Sequence, residues 1–577
     1  MESVAPSRDI TMVNLSSITK GRKLGLGHLF MGVPALLLVL VVAFPISLIF
    51  VQSILSEEGT LTLGFLQRIF EVRSNYISLI NTLTISVLTV FFTVLIGCPL
   101  AWLVTRTDMP LKGVFKTLFI IPYMIPPFIG AIAWGFLLSP RTGFINKWFM
   151  GLFDSTIPLF NLYSYWGVVL VMSLYFYPYV FITVAGALER MDPSLEEAAR
   201  SSGSGKFRVA RDITLPLVAP SITAGALLVF IAACSNFGIP ALIGTEGRIY
   251  VLTTRIFYYI YSGGFEGLQM ASSLSIFLVI TSALALLANR WYLRKKQFTI
   301  IAGKSMRPNV VLLGKYRTPF FIGCCLFIIA TMVAPLLCIV LISLLKAYGV
   351  AIEWKNFTLA NYKFILFEYE LTRASIWNSI KLSLTAATLL TVVGSLIAYI
   401  IVRTKLMGRR ILEFFSTLPY SIPGTVLAIG MILAFSGKFG INLYNTIWIL
   451  LIAYTARYMA FAVKSVGASL EQVHMSLEEA ARISGAGWTK TFRDIVVPLV
   501  RPGLIAAWFL AFMPMLRELT VSVLLFGPET RTIGVAVYEF QDAGYYDSAA
   551  ALATCVLIVI FAGNFLMKRI TGGEFGF

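Results

Sequence analysis

The sequence predicts an all-α integral membrane protein, with twelve transmembrane helices in two homologous six-helix halves. Three observations carry that expectation: a composition too apolar for water, a succession of segments long enough to cross a bilayer, and an internal repeat that maps one half onto the other. Of 577 residues, 58% are hydrophobic and only 13% charged. A water-soluble domain of that balance would expose large apolar areas, so the bilayer is the natural solvent. The formal charge of +18 is spread in short clusters between apolar runs. It forms no continuous stripe of the kind that tracks a nucleic acid, which argues against nucleic-acid binding.

Crossing a bilayer takes about 20 mostly apolar residues. Twelve segments qualify: 29–53, 78–104, 114–138, 165–188, 213–241, 270–292, 319–345, 377–402, 411–436, 443–468, 495–526 and 547–568. Orientation follows from the basic residues in alternate loops. The connection 290–317 carries Arg290, Arg294, Lys295, Lys296, Lys304, Arg307, Lys315 and Arg317 with no acid between them, and so reads as cytoplasmic. Arg403, Lys405, Arg409 and Arg410 after the eighth span agree. The stretch 527–547 has Glu529, Glu539, Asp542 and Asp547 against Arg531 alone, and reads as external. Both termini are then expected inside, in a bacterial cytoplasmic membrane. Residues 1–28, mostly polar with Lys20, Arg22 and Lys23 near their end, read as a cytoplasmic tail instead of a secretory signal. The remaining divisions are a first repeat over 29–292, a basic cytoplasmic linker over 293–318 and a second repeat over 319–577.

Cys98, Cys234, Cys324, Cys325, Cys338 and Cys555 lie in or beside apolar segments with no CxxC pair. They read as packing or lipid-facing residues. His28 and His474 are far apart in sequence and suggest no metal site.

The repeat is explicit. Leu-Glu-Glu-Ala-Ala-Arg at 195–200 recurs at 477–482, an offset of 282 residues, and the match continues through Gly203/Gly485, Gly205/Gly487, Arg211/Arg493, Asp212/Asp494, Pro216/Pro498 and Pro220/Pro502. Nearer the N-terminus the offset is 297: Arg106/Arg403, Pro122/Pro419, Tyr123/Tyr420 and Pro126/Pro423. The first half therefore holds roughly 15 extra residues, expected in the external loop before Tyr165.

Ser194 with Glu197, and Ser476 with Glu479, have the S-x-x-E spacing of a capping box, which predicts two short helices on the cytoplasmic side. Leu195, Ala198, Ala199 and Ser202, like Leu477, Ala480, Ala481 and Ser484, then share one face of small side chains that lets another backbone approach. Gly203 and Gly485 supply a helix stop where φ is free to be positive.

The pattern E-A-A, three residues, G, nine residues, I-x-L-P resembles the coupling loop of type I permeases of binding-protein-dependent ATP-binding-cassette (ABC) importers. Glu197, Ala198, Ala199, Gly203, Ile213, Leu215 and Pro216 fit it fully; Glu479, Ala480, Ala481, Gly485, Ile495 and Pro498 fit with Val497 in place of leucine. The resemblance implies that Glu197, Ala198, Ala199, Gly203, Glu479, Ala480, Ala481 and Gly485 dock ATPase subunits. It implies two ATPase copies, a periplasmic solute-binding protein, ATP bound in the partner and no cofactor in this chain. Residues 236–240 (Asn-Phe-Gly-Ile-Pro) and 517–520 (Arg-Glu-Leu-Thr) resemble the ferric-iron branch. Related branches move thiamine, polyamines, phosphonates or sugar phosphates.

Charged residues inside spans are costly and usually face a protein interior or a water-filled path. Arg457, Lys464, Arg517 and Glu518 are the candidates. At the offset of 282, Arg457 matches Tyr175 and Glu518 matches Asn236, which makes Tyr175, Asn236, Arg457, Arg517 and Glu518 a candidate translocation pathway. The plainer readings are mutual pairing or snorkelling for Arg517 and Glu518, a position near the cytoplasmic end for Lys464, and packing for Tyr175, Tyr177 and Tyr179. A secondary transporter driven by an ion gradient would share the span count and repeat, but not duplicated docking loops. The chain contains no G-x-x-x-x-G-K-[ST] phosphate loop, so on the importer reading it is no enzyme and ATP is hydrolysed elsewhere.

Overall fold

A computed structural model describes residues 26–56, 58–295 and 310–570. The expected tail, apart from its last residues, and the middle of the basic linker lie outside the described residues. Ten helices among those described are long and apolar enough to cross a membrane, from Gly32–Ser53 to Tyr546–Ile570, and counting each of two bent helix pairs as one span gives twelve. The expected third and ninth spans are these pairs: Lys112–Met124 with Pro127–Leu138, bent by 98°, and Arg409–Ser421 with Gly424–Phe435, bent by 113°.

The bends have a local cause. Ile125 and Ile422 each precede a proline, whose ring disfavours the α region for the residue before it. Both sit in extended conformation, with ψ of 130° and 139°. The fifth and eleventh spans also end early, at Ser235 and Leu516, with short helical segments Pro240–Gly244 and Ser522–Leu525 beyond the break. Prolines shape the continuous spans too. The π-helical turns Val39–Ala43, Ala210–Thr214, Ile329–Val333 and Phe492–Val496 each end two residues before a proline, where the missing N–H and the ring widen the helix.

Packing repeats with the sequence. In each half the second span (Arg73–Arg106; Glu370–Arg403) lies along the fourth (Tyr165–Arg190; Ile447–Gln472). The helices come close at Gly97 and Gly394, which correspond at the offset of 297. A Cβ at Gly97 would sit 3.1 Å from the Phe181 nitrogen and the Tyr177 carbonyl, and one at Gly394 would sit 2.5 Å from Ala462 Cβ. Between helices in lipid, tight van der Waals contact replaces the hydrophobic drive, so small residues belong there.

The two repeats interlock. Phe44–Ser53, from the first span of the first half, packs on Gly424–Phe435 of the second, and Ala334–Ser343 of the second packs on Pro127–Leu138 of the first. Gly430 permits one of these contacts, since a Cβ there would lie 2.8 Å from the Pro45 carbonyl oxygen. The connection before Tyr165 contains the helix Phe144–Phe153, while its counterpart in the second half, 436–446, contains none. The linker's last residues add a strand-like contact: the Val311 amide donates to the Arg106 carbonyl at 2.7 Å and the Leu313 amide to Asp108 Oδ1 at 2.9 Å.

Candidate functional site

The repeated motif forms two matching helices, Ser194–Ser201 and Ser476–Ile483, at one end of the bundle. The expected capping box is not formed. Ser194 and Ser476 are the first helical residues, and neither helix has a side-chain bond at its N-cap, Pro193 or Met475. The helix starts are instead held from two residues upstream. The Ser194 amide donates to Asp192 Oδ1 at 2.9 Å, and the Ser476 amide donates to His474 Nδ1 at 3.3 Å. The Ser194 amide and hydroxyl hold the Asp192 carboxyl below the usual carboxylate range, as bonding to the charged form does. Gly203 and Gly485 end the helices with φ of +84° and +82°, and each accepts a left-handed turn at no steric cost.

The two glutamates of each motif do different work. Glu197 and Glu479 are exposed, with Ala198 and Ala480 beside them, while Glu196 and Glu478 are buried. Glu478 lies 3.0 Å from Arg403 Nε and 3.6 Å from Arg482 Nη2 and accepts from the Tyr399 hydroxyl at 2.8 Å. Arg403 also donates to the carbonyls of Leu470 and Val473, at 2.8 and 2.6 Å. It thereby ties the end of the second span to the C-terminal turn of the fourth. In the first half Glu196 lies 3.7 Å from Arg106 and accepts from the Thr214 hydroxyl at 2.7 Å. These anchors went unread in the sequence, although Arg106/Arg403 and Glu196/Glu478 are both conspicuous in the repeat.

The five candidate pathway residues come together. Tyr175, Asn236, Arg457, Arg517 and Glu518 line one cavity of about 210 Å³ between the two halves. Breaks in the third, fifth and eleventh spans open onto it, at Pro122–Pro127, Ser235–Gly238 and Pro514–Thr520. Corresponding positions of the two halves both line it: Tyr123 and Tyr420, Tyr175 and Arg457, Phe176 and Tyr458, Asn236 and Glu518. The first half contributes neutral groups and the second the charges. Tyr123, Tyr179, Tyr420 and Tyr458 were not singled out as lining residues; the repeated Tyr123/Tyr420 beside a repeated proline was the available signal.

Glu518 Oε2 lies 3.7 Å from Arg457 Nε, and the carboxylate accepts from the Tyr458 hydroxyl and, at 3.1 Å, from the Val521 amide. Arg517 reaches across to the first half, donating to the carbonyls of Tyr123 and Met124. Those carbonyls end the helix Lys112–Met124, where the helix dipole is negative. Arg517 and Tyr123 also wall a second, smaller cavity of about 40 Å³ that reaches Asn564 and Met567. Lys464 stands apart from the cavity, exposed and 2.8 Å from Glu413.

A helical membrane bundle built from two repeats, each presenting an E-A-A helix at one end and sharing a polar cavity, defines a multi-pass transport permease. The model of the binding-protein-dependent transport system inner membrane component family matches residues 93–296 and again 391–572. The chain belongs to that family, as a fusion of two copies, and is an ABC importer permease. It is 28% identical over 501 residues to the ferric transport system permease protein FbpB of Actinobacillus pleuropneumoniae, covering 85% of this chain and 71% of that one. With the Fe(3+)-transport system permease protein FbpB 2 of Haemophilus influenzae it shares 25% identity, covering 92% and 97%. The molybdenum transport system permease protein ModB of Escherichia coli (strain K12), 30% identical, is 91% covered by 37% of this chain. A chain of a solved bacterial ABC transporter involved in alginate import aligns over 44% of this chain and 95% of its own, at 18% identity and a TM-score of 0.36.

Proposed function

We propose that this permease carries ferric iron inward, delivered by a periplasmic solute-binding protein and driven by two copies of a separate ATPase that dock on Ser194–Ser201 and Ser476–Ile483. The observation that carries the reading is the pair of exposed E-A-A faces, built twice with the same φ-positive glycine stop, in a chain that aligns over most of its length with ferric transport permeases. On this reading the docking helices and both termini face the cytoplasm, as the basic loops require. Glu197, Ala198, Ala199 and Gly203, with Glu479, Ala480, Ala481 and Gly485, form the two ATPase contacts. Tyr175, Asn236, Arg457, Arg517 and Glu518 line the route. This chain holds no cofactor of its own, and ATP binds in the partner.

The test is ATP hydrolysis by the complex of permease, ATPase and binding protein reconstituted in liposomes. Ferric iron loaded on the binding protein should stimulate hydrolysis and enter the vesicles. Stimulation by thiamine, a polyamine, a phosphonate or a sugar phosphate, with none by iron, would contradict the substrate and leave the importer class standing. A second reading, an anionic solute, has one observation in its favour: two arginines in the cavity wall.

A further inference from the structure

The charges around the cavity do not balance. Arg457, Arg517 and Glu518 are the ionised side chains lining it among the described residues, and two of the three are cationic. Arg517 is engaged by the backbone carbonyls of Tyr123 and Met124. Arg457 is engaged more loosely, over the Tyr458 ring at 5.9 Å and in an ion pair with Glu518. Its side chain is 17% exposed, its Nε is 3.7 Å from Glu518, beyond hydrogen-bond reach, and neither Nε nor Nη1 has a hydrogen-bond partner. Glu518 is already bonded to the Tyr458 hydroxyl and the Val521 amide.

The setting of Arg457 adds to the imbalance. Its Nη1 lies 2.7 Å from where a Cβ on Gly424 would stand, and Gly424 is the first residue of the helix Gly424–Phe435. A guanidinium thus sits against the positive end of a helix dipole, the reverse of the arrangement that stabilises a cation. An anion would satisfy both at once. Tyr175 and Tyr420 line the same space and carry hydroxyls able to donate. The Tyr175 ring is admitted only because residue 130 is glycine, since a Cβ there would fall 2.0 Å from its Cζ. The volume, about 210 Å³, holds a small oxyanion together with several waters at roughly 30 Å³ each.

We propose that this cavity binds a small oxyanion on Arg457 at the start of Gly424–Phe435, and that the cargo cation crosses together with such an anion. The second clause rests on the ferric reading above; the first does not. With Arg517 already held by the carbonyl end of Lys112–Met124, a bare trivalent cation would meet Arg457 and a positive helix end against one carboxylate, whereas an anion-bound cation brings the charge those groups lack.

Inorganic phosphate is the probe. Equilibrium dialysis of radiolabelled phosphate against the purified permease–ATPase complex should show saturable binding, weakened tenfold or more by Arg457→Gln and by less than threefold by Arg457→Lys. Tyr175→Phe, in the opposite half, should weaken it severalfold and guards against a general collapse of the Gln variant. Absence of saturable binding in the wild type, or undiminished binding in Arg457→Gln, would overturn the site. In liposomes, doubly labelled iron and phosphate should enter together in a fixed ratio. Iron entering at the same rate with no anion counted inside would overturn co-passage. Failure of iron to enter under any condition would contradict the ferric reading, while the dialysis result still decides the anion site.

Discussion

Arg403 and Glu478 show why adjacent glutamates in one motif deserve separate treatment. Glu478 is buried against Arg403 and Tyr399, whereas Glu479 is exposed. Removing one partner of a buried ion pair strands the other and costs roughly 3–5 kcal/mol. The carbonyls of Leu470 and Val473 that also hold Arg403 place Glu478→Ala toward the lower end. We expect Glu478→Ala to lower thermal stability in detergent and the amount of protein in the membrane. Glu479→Ala should leave both within about 0.5 kcal/mol of wild type, as exposed substitutions usually do, and reduce ATPase copurification. The S-x-x-E spacing pointed to the outer glutamate as the structural one, because a capping box satisfies backbone donors locally. The upstream Asp192 and His474 hold the helix starts instead, and no local pattern shows which glutamate meets an arginine from another span.

The same scale supplies a second prediction. Gly203 and Gly485 have positive φ, and a Cβ on either meets no atom within 4 Å. Replacement by aspartate therefore costs about 1 kcal/mol of backbone strain and disturbs no packing within the chain. Gly203→Asp and Gly485→Asp should reach the membrane at near-normal levels while ATPase binding and uptake fall. Measured in the same cells, loss of the protein itself would assign the glycines to folding.

At the level of elements, the broken spans matter most. Apolar segments at 114–138 and 411–436 read as single spans, since length and hydropathy carry no direction; the bends come from Ile125 and Ile422 preceding prolines. Arg517 then links the broken eleventh span of one half to the broken third span of the other. Arg517→Ala removes that link and part of the wall between the two cavities. It should raise ATP hydrolysis in the absence of loaded binding protein, and a rate unchanged from wild type would count against a closing role for the link. Gly394 tests packing: a valine there overfills a contact already at 2.5 Å for one carbon, at about 1–3 kcal/mol. Its melting temperature in detergent should drop, while the same change at Gly113, where a Cβ meets nothing within 4 Å, should be nearly silent.

For the whole molecule, the repeat made the twelve-span plan readable, and the two offsets of 282 and 297 located the longer loop of the first half, where Phe144–Phe153 is found. The interlocking of the halves was not readable. Hydropathy records that Phe44–Ser53 is apolar but not that it packs on Gly424–Phe435 of the other repeat. The cavity was partly readable, because charge inside a span is costly enough to mark Arg457, Arg517 and Glu518 by themselves, whereas Tyr123 and Tyr420 are marked only by recurring beside a repeated proline and Tyr179 is indistinguishable in sequence from a packing aromatic. The central claim is that one polypeptide supplies the whole membrane path and both ATPase contacts. Native mass measurement of the detergent-solubilised complex tests it most directly: the account predicts one copy of this 63.8 kDa chain with two ATPase copies, and a complex holding two copies of this chain, or one that retains no ATPase, would contradict it.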